Sequence, residues 1–559
     1  MKKLPKGISN YEELVEDGYY YVDKTRYIEK LENLDDKRVM FLRPRKFGKT
    51  LFTSVLENYY DIAKKDKFEF LFKDTYIGKN PTNEKNSYYI LKFNFSGIDT
   101  TNNEATIKGF REKIEIAIKG FIAKYEMDFF INSEQSTEGL LGSLFEAFSI
   151  QKSSQKIYVI IDEYDHFANE LLGFHTNEFK EIVSKNGKIR KWYEVLKQGT
   201  ETVVQRIFIT GVAPITLDSL TSGFNISKDI TRDKDFNEMV GFNQKELVEV
   251  MNQQQISNEN QEIILPIMKE YYDGYKFAIN CENYMYNSNM CLNFLSDYIR
   301  LEEIPKQLVD VNIASDYSKL GKMLDLCQGE QREEIIEDTV SGKGVISDLT
   351  EKFNPAVGFT EKDLISMLYY LGYLTITGEF LGKPELKIPN KVMKEIYSEY
   401  FIQILKKNTD IELDERTLNV ILEEIATRGE INKLTELVEK YLSNLSNRDY
   451  QRFDEKYVKL IFYCIAMNFR FFNTKSEMKV NRHYPDLLMI PRQEQEKYFG
   501  IMIEFKYLKK GEENRLKEKQ EEARKQIEEY AEFDEIKMIK NLRKYTVVAV
   551  VDKIYVEEI

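Results

Sequence analysis

The chain has 559 residues, which is too long for one hydrophobic core, and at roughly 150 residues per domain it predicts three or four folding units. Hydrophobic residues make up 42% of the chain and charged residues 31%, a composition that excludes general disorder. The 80 Lys and Arg residues against 93 Asp and Glu residues give a formal net charge of −13, so any contact with nucleic acid has to be local.

The content of cysteine and histidine limits the possible chemistry. The four cysteines lie far apart without a CxxC pair, which argues against a disulfide framework or a cysteine zinc site and predicts an intracellular, cytoplasmic protein. Three histidines leave little material for a histidine base or histidine metal ligands. The longest apolar runs, such as Val547–Val551, are far shorter than a membrane span, so we expect no membrane association.

The first part of the chain, residues 1–245, alternates helical segments with short β runs, which predicts a parallel α/β sheet. The β runs are Val39–Leu42, Tyr88–Phe95, Lys156–Ile161 and Arg206–Thr210. The run IYVII is apolar without alternation, as expected for a central strand that is covered on both faces.

Residues 246–405 predict a mostly helical region that contains one helix, strand, turn, strand and helix at Phe359–Tyr400. This unit resembles a winged helix, which either packs on a nucleotide-binding domain or binds DNA through its recognition helix. Residues 406–559 predict a second α/β domain with helices, two paired β runs, a highly charged helix and a last strand at Tyr545–Val551.

The segment RVMFLRPRKFGKTLF places a β run, a turn and a helix in the order of a phosphate-binding loop. Backbone N–H groups of such a loop and of the helix N-terminus at Gly48 attract polyphosphate, Lys49 can reach the β and γ oxygens, and the Thr50 hydroxyl can ligate Mg²⁺. Counted back from Gly48, the GxxxxGK[ST] pattern has Arg43 where it requires a glycine. The segment therefore predicts ATP and Mg²⁺ as cofactors, and the alternative is an ordinary turn.

Acids at the end of a buried strand complete this predicted site. The run IYVIIDEYD supplies Asp162 for Mg²⁺ coordination and Glu163 for activation of the attacking water. A further β run, RIFITG, ends in Thr210, a candidate sensor of the γ-phosphate. Taken separately, each of these strand ends is also compatible with a purely structural role.

With these motifs, the sequence resembles AAA-ATPase-like proteins in which an N-terminal ATPase domain is paired with a C-terminal PD-(D/E)xK nuclease-like domain. The segments that carry the resemblance are Tyr19–Leu31, Phe41–Phe52, Ile161–Asp165, Thr210–Asn225 and Phe236–Leu247. The resemblance implies a P-loop ATPase core of the additional-strand type. It also implies that the arginine-proline entry to the loop is usual, so Arg43 is counted among the nucleotide-binding residues.

The C-terminal part contains carboxylates and a lysine in a pattern suited to metal-dependent phosphodiester cleavage, which needs acids on Mg²⁺ and a cation near the phosphate. Asp486 opens one β run, and the period of two places Glu504 and Lys506 on one face of the next. The charged helix that follows supplies Gln526 and Tyr530. The alternative is a solvated strand face or a folded but inactive nuclease domain.

The resemblance adds two acids to this site. It implies that Glu477 is a metal ligand preceding Asp486 and that Glu455 is a further site carboxylate. The predicted function is an ATPase joined to a Mg²⁺-dependent nuclease that acts on DNA or RNA. The alternatives are an NTP-gated nucleic-acid binding or scaffold protein, and an ATPase with a protein partner or a homo-oligomeric assembly.

Overall fold

The computed structural model describes residues 2–132, 134–167, 188–214, 226–305, 307–309, 320–321, 324, 335–336, 338–340, 342–351, 353, 360–445, 454–469, 471–475, 485–492 and 497–559. The chain forms two compact units. The first comprises Met1–Asn312, Lys322–Gln328 and Ile346–Lys391, and the second comprises Ile313–Gly321, Gly329–Val345 and Val392–Ile559. The three-part division at residues 245 and 405 stays a prediction.

The first unit is built on a five-stranded parallel sheet with the order β2-β3-β4-β1-β5. Its strands are β1 Arg38–Leu42, β2 Tyr89–Asn94, β3 Ile157–Asp162, β4 Val204–Gly211 and β5 Lys228–Asp229. Strand β4 is inserted between β1 and β3, which confirms the predicted additional-strand arrangement. Every residue of β3 is buried, as its unbroken apolar run predicts.

The helices of the first unit follow the β runs and continue through the middle of the chain. They are α1 Tyr11–Glu16, α2 Arg26–Glu32, α3 Lys49–Tyr60, α4 Phe68–Phe72, α5 Tyr76–Lys79, α6 Asn103–Tyr125, α7 Thr137–Gln151, α8 Lys188–Gly199, α9 Gln244–Gln253, α10 Asn258–Tyr272, α11 Ser288–Leu301 and α12 Glu361–Tyr370. Local caps explain several starts: Asn243 and Glu246 form a capping box at α9, and Thr360 and Asp363 form one at α12.

Aromatic side chains fill the core of the first unit. On α3, Tyr60 packs against Tyr158 of β3 with ring centroids 5.0 Å apart. Elsewhere Trp192 of α8 meets Phe93 of β2 edge to face, at 5.0 Å between centroids. The first contact anchors α3, which directly follows the phosphate-binding segment, to the buried strand that ends in Asp162, and the second anchors α8 to β2.

The predicted helix, strand, turn, strand and helix near residue 380 is confirmed in that order. Strands β7 Thr375–Phe380 and β8 Lys383–Lys387 form an antiparallel hairpin after α12, and α13 Lys391–Thr409 follows. A two-residue strand, β6 Val345–Ile346, precedes α12. The assignment of this unit as a winged helix stays a prediction.

The second unit contains a mixed five-stranded sheet with the order β13-β12-β11-β10-β9. Its strands are β9 Phe472–Lys475, β10 Leu487–Pro491, β11 Gly500–Leu508, β12 Leu542–Val550 and β13 Lys553–Glu558. Only β11 and β12 pair in parallel, and the helix between them makes the crossover that a parallel pair requires. The other neighbours pair antiparallel.

Both edge strands of this sheet differ from the sequence prediction. The last strand is β13 and not β12, and β9 precedes the predicted hairpin of β10 and β11. Their sequences, KIYVEE and FNTK, are short and rich in polar residues, as is usual for edge strands, and they lack the longer apolar run of a central strand.

Helices of the second unit cover the sheet. Beside α13 they are α14 Glu415–Arg428, α15 Asn432–Asn444, α16 Glu455–Met467, α17 Leu516–Ala531 and α18 Asp534–Lys537. The charged helix α17 buries Ala523, Ile527 and Tyr530, which follow one another at helical spacing along one face. Within the described residues, no helix is both long enough and apolar enough to span a bilayer.

The ends of β3 and β4 are fixed to each other by Asp165. Its carboxylate accepts hydrogen bonds from the backbone N–H groups of Val212 at 3.0 Å and Ala213 at 2.7 Å. A Cβ at Gly211 would lie 2.1 Å from Asp165 Oδ1 and 2.6 Å from the Tyr164 ring. A glycine is therefore required where these two strands end.

We expect Gly211→Ala to lower the free energy of unfolding of the first unit by about 1 to 3 kcal/mol, because the added methyl group forces apart packed groups. Gly120→Ala is the matched control: its Cβ would meet nothing within 4 Å on α6, so alanine should stabilise the helix by up to about 1 kcal/mol. Chemical denaturation of the full chain measures both. Equal stability of the two variants would contradict this account of Gly211.

Candidate nucleotide and metal sites

The phosphate-binding segment is the loop between β1 and α3. Gly48 has a φ of 95° and caps α3, a left-handed conformation that glycine adopts without strain. Carbonyl groups of the loop accept hydrogen bonds from the surrounding chain: Phe47 from Gly241 N–H at 2.9 Å, and Lys46 from Asn289 N–H at 3.3 Å. By contrast, the N–H groups of Gly48, Lys49 and Thr50 donate to no described residue. The helix N-terminus is therefore available to an anion.

The Lys49 side chain lies over this loop. Its Nζ donates to the carbonyl oxygens of Arg43 at 2.9 Å and Pro44 at 3.1 Å. Burial lowers the pKa of Lys49, and the nearby Glu163 and Asp162 oppose that shift. An ammonium group has three donors, so two carbonyl contacts leave one for a phosphate oxygen.

Asp162 is the last residue of β3, and Glu163 follows it directly. Asp162 is fully buried, and neither of its carboxylate oxygens has a hydrogen-bond partner among the described residues. Burial raises the pKa of Asp162 and Glu163 raises it further, while Lys49 and the neighbouring Thr50 hydroxyl lower it. A buried carboxylate without partners is expensive, which suits a site that holds a divalent cation. Glu163, with a φ of 54°, faces the same cavity as Lys49 and Thr50.

Thr210 stands at the predicted strand end beside this site. Its buried hydroxyl donates to the carbonyl of Phe41 at 2.8 Å and so ties β4 to β1. The side chain thus has a structural partner, and its role as a phosphate sensor stays a prediction.

The side chain of Arg43 points into the core behind the loop. Its guanidinium lies between the rings of Phe41 and Phe277, 4.2 and 4.1 Å from their centroids. It donates to the carbonyls of Leu42, Thr231 and Phe236, each at 2.8 Å. Burial lowers its pKa to about 10. The sequence prediction counted Arg43 among the nucleotide-binding residues, whereas the structure places its side chain as a support of the loop.

A cavity of about 250 Å³ opens beside Lys49 and Thr50. Much of its lining is apolar or aromatic and includes Pro5, Ile8, Tyr20, Tyr21, Val22, Met239, Val240, Phe242 and Leu292. Sequence reasoning did not identify this cavity. Two of the segments that carry the family resemblance, Tyr19–Leu31 and Phe236–Leu247, contribute to its wall. The sequence therefore marked these segments, but it did not indicate that they line a cavity.

In the second unit, Asp486, Glu504 and Lys506 come together as predicted from the β10–β11 hairpin. Leu487 pairs with Ile503, which sets Asp486 beside Glu504. Lys506 Nζ lies 3.1 Å from Glu504 Oε1. Asp486 Oδ2 accepts a hydrogen bond of 2.8 Å from Phe505 N–H. All three predicted side chains are buried, at 9%, 3% and 7% exposure for Asp486, Glu504 and Lys506.

The protonation equilibrium of Glu504 is strongly perturbed at this site. Burial and the neighbouring Asp486 raise the pKa of Glu504 to about 7, while Lys506 and Lys459 act in the opposite direction. Its Oε2 is buried and has no hydrogen-bond partner among the described residues. The two carboxylates therefore fit a divalent cation, which binds the ionised form and releases any proton held there.

Sequence reasoning missed Lys459 on α16. Its Nζ lies 2.6 Å from Asp486 Oδ1 and 2.8 Å from Glu455 Oε1. The predicted site residue Glu455 thus reaches Asp486 through Lys459. The i,i+4 spacing of Glu455 and Lys459 was the available signal, but the same spacing occurs on many exposed helix faces.

Two further predicted residues of this site, Gln526 and Tyr530, lie on α17, and a third, Glu477, is not among the described residues. Tyr530 of α17 has its pKa raised to about 12 by burial, Glu504 and Asp486, which places its ring near the acids. Gln526 Oε1 is buried without a hydrogen-bond partner in the described part of the chain. Glu477 lies outside the described residues, and those described contain no group of three acid, histidine or cysteine side chains placed to hold a metal.

Comparison with known families finds two matches along the chain. Residues 5–221 match a family described as a predicted AAA-ATPase, and residues 453–558 match the PD-(D/E)XK nuclease superfamily. The chain combines an AAA-ATPase-like domain with a C-terminal PD-(D/E)XK nuclease superfamily domain, which confirms the resemblance seen in the sequence.

The chain is also similar to a curated protein, the "Uncharacterized protein in vnfD 5'region" of Azotobacter chroococcum mcd 1. The two are 25% identical over 280 residues, which cover 50% of this chain and 49% of that protein. The chain therefore spans about half the length of this curated relative.

The position of Arg43 predicts a loss of stability on substitution. Arg43→Lys should lower the free energy of unfolding by about 2 to 4 kcal/mol, because buried carbonyls lose their donors and the ring stack loses its planar partner. Arg45→Lys, at a half-buried position in the same loop, should change it by less than about 1 kcal/mol. Denaturation monitored by circular dichroism tests both. Unchanged stability of Arg43→Lys with weakened ATP binding would instead make Arg43 a direct nucleotide ligand.

Proposed function

We propose that the first unit binds and hydrolyses ATP with Mg²⁺ and that the C-terminal domain cleaves DNA or RNA with a divalent metal. The observation that carries the first half is the buried carboxylate of Asp162 beside the ammonium of Lys49, since neither carboxylate oxygen has a hydrogen-bond partner among the described residues. The match of each half to an ATPase-like and a nuclease superfamily supports the pairing of activities.

In the ATPase site, the N–H groups of Gly48, Lys49 and Thr50, which donate to no described residue, receive the phosphates, and Lys49 adds a positive charge. Thr50 and Asp162 would hold Mg²⁺, which neutralises phosphate charge when bound. Glu163 orients the attacking water and accepts its proton. The apolar cavity beside the loop receives the nucleoside half of the ligand.

We expect Lys49→Ala to weaken ATP binding at least about tenfold and to abolish hydrolysis, since it removes the phosphate-binding charge. Glu163→Gln should keep ATP binding and lower turnover by about 100-fold or more, since only the proton acceptor is lost. Glu126→Gln is the control, because Glu126 is exposed and also left-handed, with a φ of 52°. Fluorescent-nucleotide binding and phosphate release measure these effects. Wild-type hydrolysis by either variant would refute the assignment.

In the nuclease-like site, Asp486 and Glu504 would hold the divalent metal, which activates water and polarises the phosphate when bound. The buried Oε2 of Glu504, to which no described residue donates a hydrogen bond, supports this assignment. The ammonium of Lys506 lies 3.1 Å from Glu504 Oε1 and so beside the proposed metal. In that position Lys506 neutralises the charge that develops on the phosphate.

We expect Asp486→Asn, Glu504→Gln and Lys506→Met each to lower nucleic-acid cleavage at least about 100-fold and to leave ATP hydrolysis intact. Glu528→Gln, on the exposed face of α17, is the control and should cleave normally. The assay uses single- and double-stranded DNA and RNA with Mg²⁺ or Mn²⁺, with and without ATP. If the wild type binds these substrates without cleaving any, the C-terminal domain is a nucleic-acid binding module. Undiminished cleavage by the acid variants would place the reaction elsewhere.

A further inference from the structure

We propose that Lys459 is a tethered cation that competes with the divalent metal for Asp486 and so sets the metal affinity of the nuclease-like site. The inference rests on the proposed metal site of Asp486 and Glu504. It assigns to a helix residue outside the D…ExK pattern a control over when that site becomes loaded.

The contacts of the two carboxylates are unequal. Asp486 has both oxygens engaged: Oδ2 by Phe505 N–H at 2.8 Å and Oδ1 by Lys459 Nζ at 2.6 Å. Glu504 has one oxygen engaged by Lys506 and one without a partner among the described residues. If Asp486 and Glu504 hold the metal, Glu504 would offer it an oxygen without a described partner, whereas Asp486 already binds the Lys459 ammonium.

The Lys459 ammonium and a divalent cation cannot both occupy this position on Asp486. An ammonium at hydrogen-bond distance from Asp486 Oδ1 and a divalent cation on the same oxygen would be only a few ångströms apart and would repel each other. The pair is sheltered from water, with side-chain exposures of 22% for Lys459 and 8% for Asp486, so solvent screens the repulsion less than at an exposed pair. Metal binding therefore requires the ammonium to leave Asp486.

Glu455 gives the displaced ammonium a second position. Its Oε1 lies 2.8 Å from Lys459 Nζ, one helical turn earlier on α16, and its side chain is 38% exposed. The ammonium can give up Asp486 and keep Glu455 without becoming an unpaired, half-buried charge. Lys459 thus has two carboxylate partners, of which only Asp486 belongs to the proposed metal pair.

The experiment measures Mn²⁺ binding to the nucleotide-free full chain by titration calorimetry, and Asp486→Asn identifies the heat that belongs to this site. Lys459→Met should bind Mn²⁺ at that site about tenfold more tightly than the wild type. Lys456→Met is the matched control: it lies on the same helix and pairs with Asp338, so its affinity should stay that of the wild type. Unchanged or weaker binding by Lys459→Met would overturn the proposal.

A second variant, tested first in the wild-type chain, examines the same competition without removing Lys459. Glu455→Gln removes the second position of the ammonium and should lower Mn²⁺ affinity about threefold or more. In the Lys459→Met background the same change should have no effect, since Glu455 acts only through Lys459. If Glu455→Gln leaves the affinity unchanged in the wild-type chain, or weakens binding equally in both backgrounds, the competition is refuted. If the wild type and Asp486→Asn bind Mn²⁺ alike, the proposed metal site itself fails.

Discussion

The organisation of both candidate sites depends on one constraint, the high cost of a buried carboxylate that lacks a partner. Asp162 in the first unit and Glu504 in the second each have buried oxygens without a hydrogen-bond partner among the described residues. Their pKa values are raised mainly by burial and by a second acid beside them. A cation offsets both unfavourable effects, because it compensates the carboxylate for its lost hydration and screens the repulsion between the two acids. The acids are thus tolerated where a cation is close or can be received.

Sheet topology brings these acids to the groups they act with. In the first unit, β4 between β1 and β3 holds the phosphate-binding loop and Asp162 apart by one strand, and Asp165 fixes the ends of β3 and β4. In the second unit, the antiparallel register of β10 and β11 sets Asp486 beside Glu504. The first arrangement shapes an open cleft at the end of parallel strands, and the second forms a compact acid pair within one hairpin.

Sequence patterns were sufficient for the backbone of both sites and insufficient for the side chains around them. Glycine, lysine and acid positions follow from strand ends and from the period of two, so Gly48, Asp162, Glu504 and Lys506 could be placed in advance. Arg43 could not, since only tertiary packing shows its guanidinium between two rings. Lys459 could not either, because the approach of α16 to β10 leaves no periodic mark in the sequence. The edge strands β9 and β13 were missed because their short sequences, rich in polar residues, lack the longer apolar run of a central strand.

The two sites differ in how their lysines are held, and that difference bears on how each is filled. Lys49 binds two backbone carbonyls, and neither oxygen of Asp162 has a hydrogen-bond partner in the described part of the chain, so no described side-chain cation occupies the place of a metal there. At the second site, Lys459 and Lys506 bind the carboxylates themselves. An incoming cation at the first site only has to neutralise an unpaired charge. At the second site it has to replace an ammonium that is already paired with a carboxylate. The same constraint therefore gives a site that accepts a cation directly in the first unit and a site that accepts one only by exchange in the second.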